Sequence, residues 1–499
     1  MVKYGIFYTM LKTVTVPWSC PALKNSSGQL FAEHLSVHLN GQPVQVRSCR
    51  ESAIPFNRVW PGTQRPVNQT EMAAFVSFAA DEPVHVTLND GLNGDKAVVR
   101  PLSRRIIPQK TAPDRIEFVL NGPGQYVLEC GNSHHAVYFF YNRIKAPADR
   151  QSVQWYFGPG IHFPGLIRLN SGDSVYIDPE AIVFGSLFGR DVHHIRIFGG
   201  GTLHGGMEER VFSSFFEDIL HSTLKFYNSS DIRISDIIIQ DSACFTTSFF
   251  GCSEVHIDHV KILGQWRYNT DGIDLCNTDN AEITDSFVRS FDDSIVMKGL
   301  DHAGLTTVNW QKGRSLTDIA VRNCVVWSGW GKSLDLGVET GAPEYTRITF
   351  ENCDLIHNSA VCLDIQNGAY ADIHDITFRN IRIEYQADTL PEIHQQSDNE
   401  VYDPGGRIGV PKLINIDNRH YGSWQGKSGS VHDILFENIQ ADAEPGVPLK
   451  LPFRLANYSD EAVLSRFTFR NITVNGKRIA GLDDVAYQTG GKIGDLFWE

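Results

Sequence analysis

Apolar and polar residues alternate in short runs through the first 142 positions. Leu35, Val37 and Leu39 alternate with polar neighbours, Asn40-Gly41 supplies a two-residue hairpin turn, and Val44 and Val46 resume the pattern. Val84, Val86 and Leu88 repeat it, as do Ile116 to Phe118 and Tyr126 to Leu128, and no strong helical pattern interrupts them. This predicts an antiparallel β-sandwich over residues 1–145, followed by a linker at 142–151 that contains Pro147.

Beyond residue 150 the chain repeats itself. Apolar-x-apolar strands recur around Ile232, Val255, Ala281, Ile319, Ile348, Ile376, Ile434 and Phe467, at intervals of 23, 26, 38, 29, 28, 58 and 33 residues. One strand per unit at such a period is the signature of a solenoid, because no unit buries enough apolar surface alone and neighbours must stack. The expected fold class is therefore all-β, with a right-handed parallel β-helix over 150–499 behind the sandwich. Asn323, Asn352, Asn380, Asn438 and Asn471 fall at one point of the repeat, where stacked side-chain amides would satisfy one another. The 58-residue interval before Ile434 implies one extra loop or coil, holding Ile393 to Trp424.

The 499 residues carry 42% hydrophobic and 20% charged side chains, values of a globular chain. A formal net charge of −14 without a basic cluster argues against nucleic acid as a partner. No stretch reaches the roughly 20 apolar residues of a membrane span. The segment Met1 to Cys20 shows no leader pattern, and nine cysteines without a C-x-x-C pair read as buried thiols rather than a zinc or thioredoxin site. The expected location is cytoplasmic.

The chemistry concentrates in residues 269–301, NTDGIDLCNTDNAEITDSFVRSFDDSIVMKGLD. If one coil separates Asp271 from Asp292 and Asp293, the three carboxyl groups lie on adjacent rungs, about 5 Å apart in the stacking direction. Three neighbouring carboxylates repel, so at least one holds its proton more tightly, dividing them into an acid and bases. Glycoside hydrolysis requires that division. A calcium site or ordinary loop aspartates are the competing readings of the same residues.

Asn269-Thr270-Asp271-Gly272-Ile273-Asp274, followed 21 residues later by Asp292-Asp293-Ser294-Ile295-Val296-Met297-Lys298, resembles glycoside hydrolase family 28, the polygalacturonases. That family has NTDGID and DDCIAIK at this separation. Gly329-Trp330-Gly331-Lys332-Ser333 lies where it has GHG-x-S. The resemblance covers about residues 150–480. It implies an inverting, single-displacement hydrolysis of O-glycosidic bonds with no cofactor and no metal. Asp292 would be the general acid, and Asp271 with Asp293 would activate water. A sandwich preceding such a helix is similar to glycoside hydrolase family 49, the dextranases and isopullulanases.

Two departures from the family bear on the substrate. Its histidine is replaced by Trp330, and its carboxylate-binding Arg-Ile-Lys falls where this chain has Asp364-Ile365-Gln366. A cationic fork becomes an acid and an amide, so the expected substrate is a neutral poly- or oligosaccharide rather than a galacturonate. The candidate substrate-binding residues are Asn269, Lys298, Trp330, Lys332, Asp364 and Gln366. Alternatives are a polygalacturonase proper, a calcium-dependent pectate-lyase-like eliminase, and a glycan-binding helix without turnover. The doublets His134-His135 and His193-His194 and the run Gly199-Gly200-Gly201 read as structural.

Overall fold

A computed structural model describes residues 30–32, 34–52, 70–89, 96–208, 222–300, 313–387, 410–421 and 424–499. The N-terminal leader reading and most of the Ile393–Trp424 segment lie outside these residues.

The N-terminal part is two five-stranded sheets face to face. One holds Ser36–Leu39, Gln42–Val44, Val84–Asn89, Gln109–Ala112 and Arg115–Leu120. The other holds Arg47–Ser52, Thr70–Ala79, Ala97–Arg100, Gly124–Cys130 and Val137–Asn142. Pairing is antiparallel except that Val137–Asn142 runs parallel to Thr70–Ala79, placing Phe139 opposite Val76. That strand is apolar on both faces because both are covered. Val137, Phe139 and Tyr141 enter the sandwich core, while Tyr138 and Phe140 pack with Phe287, Val325 and Trp327 of the second domain.

From Trp155 onward the chain winds as a right-handed parallel β-helix. Each complete turn passes through a front sheet, an outer sheet and a third sheet on which the sandwich docks. One turn, for example, runs through Ile273–Cys276, Asp279–Thr284 and Phe287–Ser290 before the next begins at Ile295–Leu300. The eight repeat positions noted in the sequence form one column. Ile232, Val255, Ala281, Ile319, Ile348, Ile376, Ile434 and Phe467 are successive register partners along the outer sheet. Their side chains fill the axis of the helix, buried in a single continuous core.

The long interval before Ile434 adds no rung to the outer sheet, since Asp372–Tyr385 pairs directly with Val431–Ala443. The asparagine stack also forms. Asn352 donates to Asn323 at 2.7 Å, Asn438 to Asn380 at 2.9 Å and Asn471 to Asn438 at 2.7 Å. All five residues have positive φ, a conformation Asn tolerates better than most side chains. The stack changes partner at Asn352, whose amide oxygen accepts from Arg382 at 2.8 Å. Cys49, Cys252, Cys276, Cys324, Cys353 and Cys362 are buried unbridged thiols. Both histidine doublets contact acids from distant strands, His134 meeting Glu71 at 2.7 Å and His194 meeting Asp231 at 2.6 Å. Sequence spacing did not show these partners.

Candidate active site

The carboxylates lie at the corner where the docking sheet turns into the front sheet. The strand Phe287–Ser290 ends at the corner, Asp292 and Asp293 form it, and Ile295–Leu300 leaves it. One coil earlier the same corner carries Asn269 to Asp271, and one coil later Gly329 to Lys332. Ile273 pairs with Ile295 and the Gly272 amide donates to the Asp293 carbonyl at 2.8 Å, so Asp271 and Asp293 occupy adjacent rungs. Two glycines permit the approach. A Cβ at Gly272 would lie 2.3 Å from the Ser294 carbonyl oxygen, and one at Gly331 would lie 2.5 Å from the Asp293 amide nitrogen.

Each acid is held differently. Asp292 accepts from Asn269 Nδ2 at 3.2 Å through Oδ2 and from the Asp293 backbone amide at 3.0 Å through Oδ1. Asp293 accepts from the Lys332 amide at 3.2 Å, with Lys332 Nζ 3.4 Å from its other oxygen. Asp271 is paired with Lys298 Nζ, which also donates to Asp274 at 2.8 Å. That ammonium occupies the place between two carboxylates that a divalent cation would need. Asp271 Oδ1 is buried and has no hydrogen-bond partner among the described residues.

Electrostatics separate the groups further. Burial first, and the neighbouring Asp293 second, push the Asp292 carboxyl up to about 8. Burial also pushes Asp271 up against the pull of Lys298. Burial alone would lower Lys298, but Asp271 and Asp274 more than reverse it, so the ammonium stays charged. Asp292 and Asp293 keep 8% and 7% of their surface exposed, while Asp271 keeps 1%. A group that retains its proton at neutral pH therefore stands at the surface of the site, beside a carboxylate paired with lysine.

Similarity to known proteins follows the same residues. The family model for glycosyl hydrolases family 28 matches residues 186–405, a span that contains the whole corner. A probable exopolygalacturonase B of Aspergillus terreus is 28% identical over 288 residues, covering 51% of this chain and 60% of that one. An exopolygalacturonase clone of Arabidopsis thaliana is 26% identical over 286 residues, covering 55% and 56%. Over residues 186–405 the chain is similar to family 28. The chain spans about 60% of the length of these relatives. Among solved structures, Dex49A from Penicillium minioluteum superposes with a TM-score of 0.61 at 13% identity. It covers 93% of both chains, so the shared fold includes the sandwich as well as the helix.

The remaining expected residues divide into two groups. Asn269, Lys332 and Trp330 are at the corner. Trp330 is partly exposed and packs on Phe291 with ring centroids 5.6 Å apart and on Tyr268 at 4.9 Å, so its indole is braced at the edge of the carboxylates. Lys298, Asp364 and Gln366 stand differently from the expectation that they meet substrate hydroxyls directly. Lys298 is buried between its two aspartates, over the Phe245 ring at 4.2 Å. Asp364 is fully buried, and both its oxygens are taken, by Asn415 at 2.6 Å and Gln366 at 2.8 Å. Gln366 accepts from Arg419 at 2.9 Å. The alternation of the strand Val361–Asn367 turns both side chains to the front, but the next coil covers them.

That next coil supplies what the sequence reading missed. Along the front sheet Asp335, Asp364, Asn415 and Arg454 are successive register partners, and Gln366 pairs with Asp417. Arg454 is paired with Asp417, and Lys332 Nζ lies 2.8 Å from Asp335 and 3.9 Å from Asp364. Tyr421 is half-exposed, and its phenol is pushed up by Glu339 first, with Lys298 and Lys332 opposing and Asp292 adding. Spacing could have pointed to Asp335, one coil after the Asp292 pair, but not to Arg419 or Tyr421, which follow the long insertion.

Proposed function

We propose that this protein is an inverting glycoside hydrolase of poly- or oligosaccharides. The observation that carries the reading is the contrast within the aspartate pair, with Asp292 raised to about 8 beside an Asp293 held by Lys332. Asp292 protonates the departing glycosidic oxygen. A water seated against the unpartnered Asp271 Oδ1 and Asp293 attacks the anomeric carbon from the opposite face, and its proton passes to the carboxylates. The bond to the leaving sugar breaks as the bond to water forms, so configuration inverts. Trp330 offers an aromatic face to a sugar ring.

The sugar bound near Gln366 is proposed to be neutral. Seven aspartates line this stretch of the front sheet and its corner (271, 274, 292, 293, 335, 364 and 417), against Lys298, Lys332, Arg419 and Arg454. Each of those four cations already lies against at least one aspartate, so among the described residues of this stretch none of them is unpaired. A second reading is a galacturonide, as in the names of the sequence relatives. Arg419 favours it, since its half-exposed guanidinium beside Gln366 is 3.4 Å from Asp417 and could turn to an anionic ligand.

Incubation with dextran, xylan and polygalacturonic acid, read by reducing-end release and by proton NMR of the first product, tests both levels. Inverted product from a neutral glycan with no galacturonate release is expected. Retention of configuration would overturn the mechanism, and efficient galacturonate release would select the second substrate.

A further inference from the structure

The sandwich rests on the strands that lead into the active site. Leu263, Phe287, Val325 and Trp327 of the docking sheet are buried against Phe75, Tyr138 and other side chains of the N-terminal domain. Lys261–Leu263 runs on to Asn269 and Asp271, Phe287–Ser290 to Asp292 and Asp293, and Val325–Ser328 to Trp330 and Lys332. All three catalytic turns are thus continuations of strands whose outer faces another domain covers.

One set of polar contacts across this boundary falls on the same three strands, while others, such as Arg100 with Glu384 and Gln125 with the Asp285 carbonyl, lie outside them. Glu51 of the sandwich is fully buried. Its Oε1 accepts from the Gly264 amide at 2.8 Å, at the start of the Asp271 turn, and its Oε2 lies 3.5 Å from Arg289 Nε. Arg289, three residues before Asp292, bonds the Tyr138 hydroxyl and lies 3.7 Å over the ring of Trp327, three residues before Trp330. Trp327 in turn stacks on His357 at 3.9 Å, and His357 is paired with Glu129 of the sandwich. One file of side chains therefore touches every catalytic strand in succession.

We propose that Glu51 and Arg289 are positioning residues, through which the N-terminal domain sets the register of the catalytic turns. The apolar contact already suffices for adhesion, and a buried ion pair adds little stability over apolar side chains of like volume because both charges lose water. What it adds is geometry, fixing one backbone amide and one guanidinium plane. Packing does not do this alone, since a cavity of about 30 Å³ lined by Ser52, Ser133, Ser290 and Ser328 remains behind the turns, room for a water.

This inference rests on the hydrolase reading, and its test separates the two. In the full-length protein, Glu51→Gln keeps an acceptor for Gly264 but loses the charge facing Arg289, whereas Glu51→Ala loses both. With whichever of dextran, xylan and polygalacturonic acid the wild type cleaves, kcat is expected to fall about tenfold for the first and a hundredfold for the second, a loss typical of a misplaced catalytic group. KM should stay within about twofold, and the alkaline limb of the kcat profile should move, as a merely structural effect would not require. Tyr138→Phe, the milder change, should lie between wild type and Glu51→Gln. Unchanged kcat in Glu51→Ala, or a loss that vanishes at a lower temperature where the variant is fully folded, overturns the proposal. If the wild type cleaves none of the three, the hydrolase reading fails by itself. Amide exchange over residues 264–272 and 289–294 then decides, faster exchange in Glu51→Ala supporting the positioning role and unchanged exchange ending it.

Discussion

Asn269 Nδ2 donates to Asp292 Oδ2 at 3.2 Å across one full turn of the helix, 23 positions apart in the chain. The amide contacts the oxygen that would deliver a proton, while the Asp293 backbone amide holds the other oxygen at 3.0 Å. The acid is thereby oriented by neighbours on two rungs. The Asn269 contact is fixed by the stacking of coils, whereas the Asp293 amide is supplied by the local turn.

Asp292→Asn is expected to lower kcat by several orders of magnitude with the fold intact, because the amide matches the carboxyl in shape but has no acidic proton to give. Circular dichroism and the thermal midpoint check the fold. Retention of more than about a tenth of wild-type turnover, an effect below about 1.4 kcal/mol, would remove Asp292 from the acid role.

The rate should fall as pH rises through about 8. The general acid works in its protonated form, burial and Asp293 raise its pKa to about 8, and the protonated fraction declines above that value. A profile of kcat/KM against pH reads this limb directly. A decline centred near pH 4 to 5 instead would show an unperturbed carboxyl in the role.

Lys298→Met should destabilise the protein by about 3–5 kcal/mol, since it leaves Asp271 and Asp274 buried and facing each other without a cation. Adding Asp274→Asn should restore part of that loss by removing one buried charge. Chemical denaturation of the single and double variants measures both steps. No recovery in the double variant would mean that Lys298 acts mainly by packing against Phe245.

Trp330→Ala should lower kcat/KM about threefold to tenfold, the equivalent of about 0.5–1.5 kcal/mol of aromatic contact, with little change in stability for a partly exposed ring. Steady-state kinetics on the cleaved glycan give the number. An unchanged kcat/KM would place the sugar elsewhere along the front sheet.

Asn438 tests the stack. It donates to Asn380, accepts from Asn471 and sits at φ 53°. Asn438→Ala should cost about 1–2 kcal/mol, from two lost hydrogen bonds at an exposed position and a strained left-handed backbone. Asn438→Gly should cost less, because it removes the strain and leaves only the hydrogen-bond loss. Equal midpoints for the two variants would show that the backbone term is negligible.

The sequence by itself determined the helix, its register and the clustering of Asp271 with Asp292 and Asp293. Stacking units of near-constant length repeat the same apolar positions, so Ile232 to Phe467 could be aligned by eye and proved to be one column. The rise of one coil also dictated that Asp271 and Asp293 meet, since a separation of 22 positions completes one turn. The sandwich was legible from alternation, but not the strand Val137–Asn142, whose two covered faces erase the alternation that marks a half-buried strand. Only the tertiary structure decided what surrounds each charge. Asp364 read as a group open to substrate, and it is enclosed because Asn415 arrives from the far side of a 51-residue gap. Lys298 read as a hydroxyl ligand, and it is held between two acids by the geometry of two coils. Glu51 carried no signal at all, because its partners Gly264 and Arg289 lie more than 200 residues away, and only the docking of one domain on the other brings them together. Local periodicity is written in the chain at short range, whereas the pairing of buried charges depends on contacts that no spacing encodes.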